Sequence, residues 1–278
     1  MESDNIISDV WKIEQEILDV VHSVCVENNL RYSLAFGTLL GAVRHSGFIP
    51  WDDDIDIMMP REDYEKLIKI WKDTAPEGYI LQDYRTDLDY TNNFAKIRKN
   101  HTTFLQTEEE RKKTYHKGIF IDIFPADKVA RGKILREIQY VACAINLLYS
   151  RGYTSGTKGV IGGIEKILLS TNPKKYPKRR ELAEKIIRYW NSDKNAEYFL
   201  PCVIEWCKGY YHPADMFDEL VKIQFNGKEY YAVKDYDKIL RLEYGDYMLL
   251  PPEEERVWKH HPLIVDFAHN YEELLRKD

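Results

Sequence analysis

Cysteine is scarce in this chain, and its spacing excludes two common uses of the residue. The 278 residues include four cysteines, and no pair has the C-x-x-C spacing of redox-active dithiols. None lies beside histidines at the spacing typical of zinc sites. Cys25 and Cys143 stand among apolar residues that recur with helical spacing, which predicts that both are buried thiols.

Long apolar runs are also absent. No stretch approaches the roughly 20 apolar residues that a membrane-spanning helix requires. The N-terminal residues MESDNIISDVWKIEQEILDV are acidic and amphipathic, whereas a signal peptide has a basic start and an apolar run. We therefore expect a cytoplasmic protein.

Basic residues are not in excess. The formal net charge is -6 and the sequence pI is about 5.8. A general nucleic-acid binder needs a positive field, so we expect no nucleic-acid partner. The stretch GTKGVIGG lacks the GxxxxGK[ST] spacing of a phosphate loop and follows no clear strand. A phosphate-bearing small ligand stays compatible, because it needs only a local cluster of cations.

The sequence does contain alternating helix and strand signals. Apolar residues at helical spacing predict a helix over residues 6–28, and a strand follows over 30–36. The next predicted elements are a short helix over 38–43, a strand over 55–59, a helix that begins at Pro60, strands within 79–84 and 93–99, a loop over 107–117, a buried strand within 118–127, and a hairpin turn at Asn226-Gly227. This order predicts a mixed α/β fold.

The densest chemical signal is the stretch GTLLGAVRHSGFIPWDDDIDIMMP, from Gly37 to Pro60. Asp54 and Asp56 are two residues apart at the predicted strand, so their side chains should share a face. Carboxylates side by side on a half-buried strand repel each other, and a hard cation such as Mg2+ would relieve that repulsion. A solvated acidic turn is the alternative. The apolar residues around Asp56 favour a metal and phosphate site instead.

The residues around these acids suit a phosphate. Gly37 lets a ligand approach the backbone closely, and free amides at a helix start favour phosphate. Four cations are candidates for phosphate contact, Arg44 and His45 after the short helix and Lys96 and Arg98 on one strand face. For the strand pair a solvated edge is the alternative, and His45 alternatively lies on the surface.

A third acid stands in the apolar strand GIFIDIFPAD. Asp122 shares its face with Phe120 and Phe124, and a carboxylate in such surroundings needs a partner. A structural salt bridge is one candidate partner. A third position in the metal site is the other, and it is favoured because Asp54 and Asp56 already predict a metal.

The middle of the chain, from about residue 129 to 199, has helical character. One apolar stripe predicts a helix–helix core, and it consists of Ile134, Leu135, Ile138, Val141, Ile145 and Leu148. The basic stretch KKYPKRR, residues 174–180, is predicted to be a linker. It is either a solvated loop or a weak peripheral contact to anionic lipid at the inner face of the membrane.

Taken in order, these motifs resemble the nucleotidyltransferase superfamily, and more closely the LicD family of phosphocholine transferases, relatives of fukutin and fukutin-related protein. The resemblance rests on GTLLGAVRHSGFIPWDDDIDIMMPREDYEKL, FAKIRKNHTTF, GIFIDIFPAD and YDKILRLEYGDYMLLPPEEER. It covers about residues 11–127 and 217–261, and covers the helical middle only weakly. It implies a nucleotidyltransferase-like mixed sheet with flanking helices and a helical insertion. The implied division is a catalytic core over 1–128, a helical insertion over 129–200 and a C-terminal part over 201–278 that completes the catalytic domain.

The resemblance also implies a reaction. A substituted phosphate, typically phosphocholine from CDP-choline or a related CDP-alcohol, would pass to a hydroxyl of a cell-surface glycan or its lipid-linked precursor, of teichoic acid or lipopolysaccharide type. Asp54, Asp56 and Asp122 would be catalytic and would hold Mg2+, with Mn2+ as an alternative. The substrate-binding residues would be Gly37, Thr38, Arg44, His45, Lys96 and Arg98.

Two other functions stay open. A nucleotidyltransferase would use the same metal site but attack the nucleotide-side phosphorus and release pyrophosphate. A non-catalytic glycan-binding protein would keep the fold alone, which the presence of all three acids disfavours. Trp51, beside the acids, is the first candidate for contact with a choline headgroup, with simple packing as the alternative.

Overall fold

The computed structural model describes residues 2–87, 89–201, 211–258 and 261–275. The chain forms two compact units. Unit 1 comprises Met1–Gln82, Ala95–Phe124 and Met216–Asp278, and unit 2 comprises Asp83–Phe94 and Pro125–Asp215. The predicted three-part division at residues 128 and 200 stays a prediction.

Unit 1 is built on a mixed sheet. The strands in chain order are β1 (Ser33–Leu34), β2 (Asp56–Pro60), β3 (Tyr79–Gln82), β4 (Ala95–Lys99), β5 (Thr103–Leu105) and β6 (Phe120–Lys128). The spatial order of the main sheet is β1-β2-β6-β4-β3, so β2 and β6 are neighbours although about 60 residues separate them. The predicted mixed α/β class is confirmed.

The remaining strands complete both units. In unit 2, β7 (Tyr198–Pro201) pairs with the last residues of β6 and with β8 (His212–Pro213). In unit 1, β9 (Leu220–Phe225) and β10 (Lys228–Val233) form a hairpin, and β11 (Ile264–Asp266) pairs with β5. Asn226 and Gly227 both have positive φ, as a two-residue type I′ turn requires, which confirms the predicted hairpin.

Helices flank these sheets. Those of unit 1 are α1 (Glu2–Glu27), α2 (Phe36–His45), α3 (Arg61–Thr74), α4 (Glu108–Arg111), α8 (Tyr236–Tyr244) and α9 (Tyr271–Leu274). Those of unit 2 are α5 (Lys133–Arg151), α6 (Val160–Leu169) and α7 (Tyr176–Arg188). No helix in the described part of the chain combines the length and the apolar character needed to cross a bilayer.

Both predicted core thiols are buried. Cys25 lies on α1 and faces the unit 1 core, and burial raises the pKa of its thiol to about 12. Cys143 lies in a separate small core of unit 2 with Val129 and Ile187. Neither thiol is therefore suited to nucleophilic chemistry.

The region before the acids differs from prediction in two ways. The predicted strand over 30–36 is short, because Phe36 already begins α2. The strand β2 begins only at Asp56, so Asp54 lies in the preceding loop and does not share a strand face with Asp56. The predicted loop over 107–117 also contains α4, which Thr107 caps by accepting the backbone N–H of Glu110.

The basic stretch over 174–180 is helical, so its prediction as a linker is wrong. A 3-10 turn over Pro173–Lys175 leads directly into α7. Arg180 is buried and donates to the carbonyl oxygens of Tyr90 and Asn92. Arg179 donates to the Tyr149 hydroxyl. Two of the five basic residues are thus tied into unit 2.

Only the C-terminal end of the predicted apolar stripe of α5 faces the core, where Leu148 is 4% exposed and Ile145 is half-buried. The first four members of the stripe, Ile134, Leu135, Ile138 and Val141, are exposed. The buried face carries Gln139 instead, which accepts the Ala130 N–H and donates to the carbonyl oxygens of Lys128 and Ile187. These three buried backbone groups need partners, and Gln139 supplies them only when it faces inward.

Position 41 of α2 requires glycine, because the backbone of a neighbouring segment packs closely against it. A Cβ added at Gly41 would lie 2.5 Å from the Gly47 carbonyl oxygen and 3.3 Å from the Ile49 nitrogen. Both are backbone atoms, so the contact cannot be relieved by a side-chain rotation. We expect Gly41→Ala to lower the free energy of unfolding by about 1–3 kcal/mol, measured by urea denaturation.

Gly163 of α6 provides the matched control. Among the described residues, no atom lies within 4 Å of a Cβ added there. Gly163→Ala is expected to leave stability unchanged or raise it by about 0.5–1 kcal/mol. Equal stabilities of the two variants would show that α2 does not need its close packing at position 41.

Candidate active site

The hydroxyl of Thr38 connects the start of α2 to the acidic loop. It accepts the backbone N–H of Asp56 at 2.7 Å and lies 3.5 Å from the carbonyl oxygen of Asp54. The Ala35 N–H donates to the Asp56 carbonyl from the other side. These bonds fix the backbone from which both acids project.

The first turn of α2 is unusual. Phe36 has a φ of 46°, a conformation that non-glycine residues rarely adopt, and its ring makes an edge contact with Phe124. A Cβ added at Gly37 would lie 2.8 Å from a carboxylate oxygen of Asp52. The glycine therefore lets this carboxylate lie against the turn. Strained backbone of this kind clusters at functional sites.

Asp122 has the salt-bridge partner that the sequence left open. Lys96 on β4 stands directly opposite Asp122 on β6, and the Lys96 Nζ lies 2.5 Å from Oδ1. Both side chains are buried, and the Lys96 Nζ also lies 3.3 Å from the centre of the Phe120 ring. The Asp122 N–H donates to the Ile55 carbonyl at 2.8 Å, which brings this pair beside the acidic loop.

The acids interact electrostatically. Burial, and then the charges of Asp54, Asp122 and Asp52, raise the pKa of Asp56 well above its usual range, while Lys96 opposes the shift. The single lysine therefore does not neutralise the cluster. The structure brings the three predicted acids into one electrostatic group, although they come from a loop and two strands.

The acidic cluster offers oxygen donors of the type that a metal ion needs. Among the described residues, no three His, Cys, Asp or Glu side chains are arranged to hold a metal ion. The type of donor nevertheless suits a hard divalent cation, because Asp54 and Asp56 offer carboxyl oxygens and interact electrostatically. The three-carboxylate metal site stays a prediction.

A buried acid on α1 was missed by the sequence reasoning. Glu14 is 3 % exposed, and its Oε2 has no hydrogen-bond partner among the described residues. One turn earlier, the Trp11 Nε1 donates to the Asp52 carbonyl at 2.8 Å, so this helix face meets the acidic loop. Burial, followed by the charges of Asp53 and Asp54, raises the pKa of Glu14 well above its usual range.

A signal for Glu14 was present in the sequence. It stands four residues after Val10 and three before Ile17, inside the stripe of apolar residues that faces the core. An acid at such a position is unusual and marks a buried polar site.

We expect Glu14→Gln to stabilise the protein increasingly as pH rises. Because the pKa of Glu14 is raised on folding, its contribution to stability is present at low pH and is lost as pH increases. The change in Tm should be small at about pH 5 and clearly positive at about pH 8, measured by thermal denaturation in a metal chelator.

Glu27 on the same helix is exposed and serves as the control. Glu27→Gln should change the Tm by less than Glu14→Gln does at about pH 8. If the two variants change the Tm equally, Glu14 is not a buried acid of the cluster.

The predicted phosphate-binding cations have different surroundings. Arg44 is half-buried, and its Nη1 donates to the Tyr247 carbonyl at 2.9 Å while its Nε lies 2.9 Å from the His45 ring. Burial lowers the pKa of His45, and the Arg44 charge lowers it further. His45 is therefore held neutral, as a hydrogen-bonding group more than as a cation.

Arg98 is occupied by the fold. It is 2 % exposed, its Nε donates to Gln82 and its Nη1 donates to the Gly118 carbonyl, each at 2.7 Å. These bonds favour a structural role, and its contact with substrate stays a prediction. Lys96 is equally buried, but it belongs to the acidic cluster through Asp122.

The C-terminal motif also reaches the acids. Burial, then Glu243 and the charges of Asp56 and Asp52, raise the pKa of Tyr244 at the end of α8. Arg256 lies over the face of Trp51, with its Cζ 5.7 Å from the ring centre. Tyr244 thus interacts electrostatically with the acids, and the sequence analysis did not single it out although it lies within a quoted motif.

Comparisons with known proteins identify the family of the chain. A model of the LicD/FKTN/FKRP nucleotidyltransferase domain matches residues 29–140, which include every acid of the cluster except Glu14. The lipopolysaccharide cholinephosphotransferase LicD of Haemophilus influenzae is 32% identical over 254 residues, covering 86% of this chain and 90% of that protein.

Two further relatives have no assigned activity. An uncharacterized protein of Rickettsia prowazekii is 29% identical over 133 residues, covering 41% of this chain and 50% of that protein. An uncharacterized protein of Rickettsia typhi is 48% identical over 67 residues, covering 24% and 22%.

Proposed function

The chain belongs to the LicD family, and from this premise we propose that it transfers phosphocholine from CDP-choline to a hydroxyl of a cell-surface glycan or its precursor, of lipopolysaccharide or teichoic acid type. One observation carries the proposal, namely 32% identity to a lipopolysaccharide cholinephosphotransferase across 90% of that enzyme. The acidic cluster of unit 1 supplies the chemistry that such a transfer needs.

We assign a Mg2+ site to Asp54 and Asp56, with Mn2+ as the alternative ion. The support is the oxygen donor set and the negative charge that Lys96 alone does not neutralise. When bound, the cation would neutralise diphosphate oxygens and the departing CMP, which is the principal requirement of phosphoryl transfer.

The protein's own residues act in the remaining steps. The acceptor oxygen forms a bond to the outer phosphorus of the donor, while the bond from that phosphorus to the bridging oxygen breaks and CMP leaves. Asp122 takes the proton of the acceptor hydroxyl, and Lys96 holds its carboxylate in position through Oδ1. Thr38 keeps the loop that bears Asp54 and Asp56 in place.

The substrate groups have candidate contacts within unit 1. The half-buried Arg44 and His45 would hold the donor phosphates beside the first turn of α2, where Gly37 and Thr38 lie. The Trp51 ring already has a guanidinium over one face, which shows that its surroundings accept a cation. We propose that a choline headgroup binds to this ring.

A donor screen tests the proposal. The protein is incubated with CDP-choline, CDP-ethanolamine, CDP-glycerol or CDP-ribitol and a lipopolysaccharide or teichoic acid acceptor, with Mg2+ or with chelator. Mg2+-dependent release of CMP, with the headgroup phosphate transferred to the glycan, is the expected result. Release of the free alcohol phosphate, such as phosphocholine, with CMP attached to the acceptor would identify a nucleotidyltransferase instead. Glycan binding without turnover of any donor would identify a non-catalytic protein.

A further inference from the structure

The positive charge of this acidic protein is concentrated in unit 2. Residues 128–192, the helical part of unit 2, contain fourteen Lys and Arg and four Glu, a formal net charge of +10, whereas unit 2 as a whole carries +5 and the whole chain -6. The rest of the chain is therefore strongly acidic. Such an asymmetry is typical of a surface that meets an anionic partner.

Aliphatic side chains on the same unit face outward. On α5 they are the four residues Ile134, Leu135, Ile138 and Val141, and the first of them is 78% exposed. On α6 they are Val160, Ile161, Ile164 and Ile167, exposed by 80%, 61%, 51% and 70%. We call these eight residues the aliphatic rows. Scattered exposed aliphatics are ordinary, but two helices that turn their apolar residues outward are not.

The polar side of α6 is fixed inside unit 2. Glu165 accepts from Arg151 at 2.7 Å and from the backbone and hydroxyl of Ser155 at 2.9 Å. The Leu168 carbonyl accepts from Arg179, and the Leu169 carbonyl accepts from Tyr176. Because these bonds hold the acid inward, the isoleucines must point outward. On α5, Gln139 has the same effect.

Basic residues lie next to the aliphatic rows. Lys133 precedes the row of α5, and Lys166 stands between Ile164 and Ile167 on α6. Lys174 and Lys175 lie in the turn between α6 and α7, and all four lysines are exposed. Long basic side chains beside exposed aliphatics form the pattern of helices that lie in a membrane interface.

Charge and apolar surface together decide between occupants. A second copy that met this unit face to face would bring equal positive charge against it. A polyanionic glycan would satisfy the lysines but would leave the isoleucines in water. An anionic bilayer satisfies both, because headgroups meet the lysines and acyl chains receive the aliphatics.

We propose that the aliphatic rows of α5 and α6, with their neighbouring lysines, dock unit 2 onto an anionic phospholipid bilayer. The contact is peripheral, since neither helix can cross the membrane. The site differs from the one predicted from the basic stretch alone, because Arg179 and Arg180 are used within the fold. The docking does not depend on the reaction proposed for unit 1.

Co-sedimentation with lipid vesicles tests the docking. The full-length protein should sediment with vesicles of phosphatidylcholine and phosphatidylglycerol, and remain in the supernatant with phosphatidylcholine alone. Raising the salt from about 50 mM to about 500 mM should reduce the bound fraction severalfold, because it screens the lysines. If the wild-type protein stays in the supernatant with anionic vesicles at low salt, the proposal is wrong.

Two variants separate the apolar and the charged contributions. Ile161→Gln/Ile164→Gln/Ile167→Gln should weaken vesicle binding by about tenfold or more, because the apolar area is lost. Its control is Val26→Gln/Leu242→Gln, which changes exposed aliphatics of unit 1. Lys174→Glu/Lys175→Glu should weaken binding by a similar factor, whereas Lys69→Glu/Lys72→Glu on exposed positions of α3 should not.

The charge-reversal pair keeps the test decisive if the triple variant fails to fold, which circular dichroism would show. Equal vesicle binding by the test and control lysine variants would refute docking at this surface. Light scattering measures the oligomeric state and so tests the alternative that a second copy of the chain covers the aliphatic rows. If the wild type is a dimer that the isoleucine variant dissolves, and vesicles bind neither, the rows form a self-association face and the proposal is wrong.

Discussion

Asp56→Asn is expected to reduce transfer by at least about 10²–10³-fold while leaving the protein folded, because it removes a carboxylate from the proposed metal site. The same change should raise the Tm of the metal-free protein. Neighbouring acids and burial raise the pKa of Asp56, so its ionisation opposes folding increasingly as pH rises. Measured in chelator, the gain in Tm should therefore be larger at about pH 8 than at about pH 5.

Asp54→Asn should have the same effect on transfer, since both residues are assigned to the metal. Asp73→Asn, at an exposed position on α3, is the matched control and should leave both activity and Tm unchanged. Near-normal turnover of Asp54→Asn at saturating Mg2+ would rule out the assignment. Loss of activity with a lower Tm in both variants would instead indicate a structural role.

Lys96→Met is expected to be the most destabilising single change in the cluster. It removes the partner of the buried Asp122 and leaves that carboxylate beside Asp56. Breaking a buried pair from one side costs about 3–5 kcal/mol, measured here by urea denaturation. The double variant Lys96→Met/Asp122→Asn should recover most of this loss, because no uncompensated charge stays buried.

Lys174→Ala, at an exposed position, provides the comparison and should change stability by less than about 0.5 kcal/mol. Lys96→Ala should also weaken use of the nucleotide donor more than Lys174→Ala does. The single variants Lys96→Met and Asp122→Asn each change the free energy of unfolding. If these two changes simply add up in Lys96→Met/Asp122→Asn, the two side chains do not stabilise each other.

Local signals predicted the parts of the fold that local chemistry decides. The Asn226-Gly227 turn fixed a hairpin because both positions need positive φ, and only neighbouring residues enter that requirement. The pairing of Lys96 with Asp122 spans 26 residues and depends on strand register, which the sequence does not display. The acid was therefore identified, whereas its partner was left open.

Periodicity identified amphipathic helices but not the direction in which they face. On α5 the first four residues of the expected core stripe lie outside, because Gln139 and the backbone groups it satisfies decide the inward face there. On α1 the apolar face was found, but Glu14 within it was not recognised as part of the site. In both cases one buried polar side chain outweighs the hydrophobic pattern around it.

The way unit 2 interrupts unit 1 has a consequence during translation. Residues Pro125–Asp215 leave the ribosome before β9 and β10, yet unit 1 needs that hairpin, whose Val233 N–H donates to Ser33 on β1. Translation proceeds at about 5–20 residues per second, so the hairpin is synthesised on the order of 10–30 s after the acids. By the end of that interval all residues of unit 2 have been synthesised, whereas unit 1 still lacks its last strands. A messenger RNA truncated before the codon for Leu220 would therefore encode all of unit 2 but only part of unit 1.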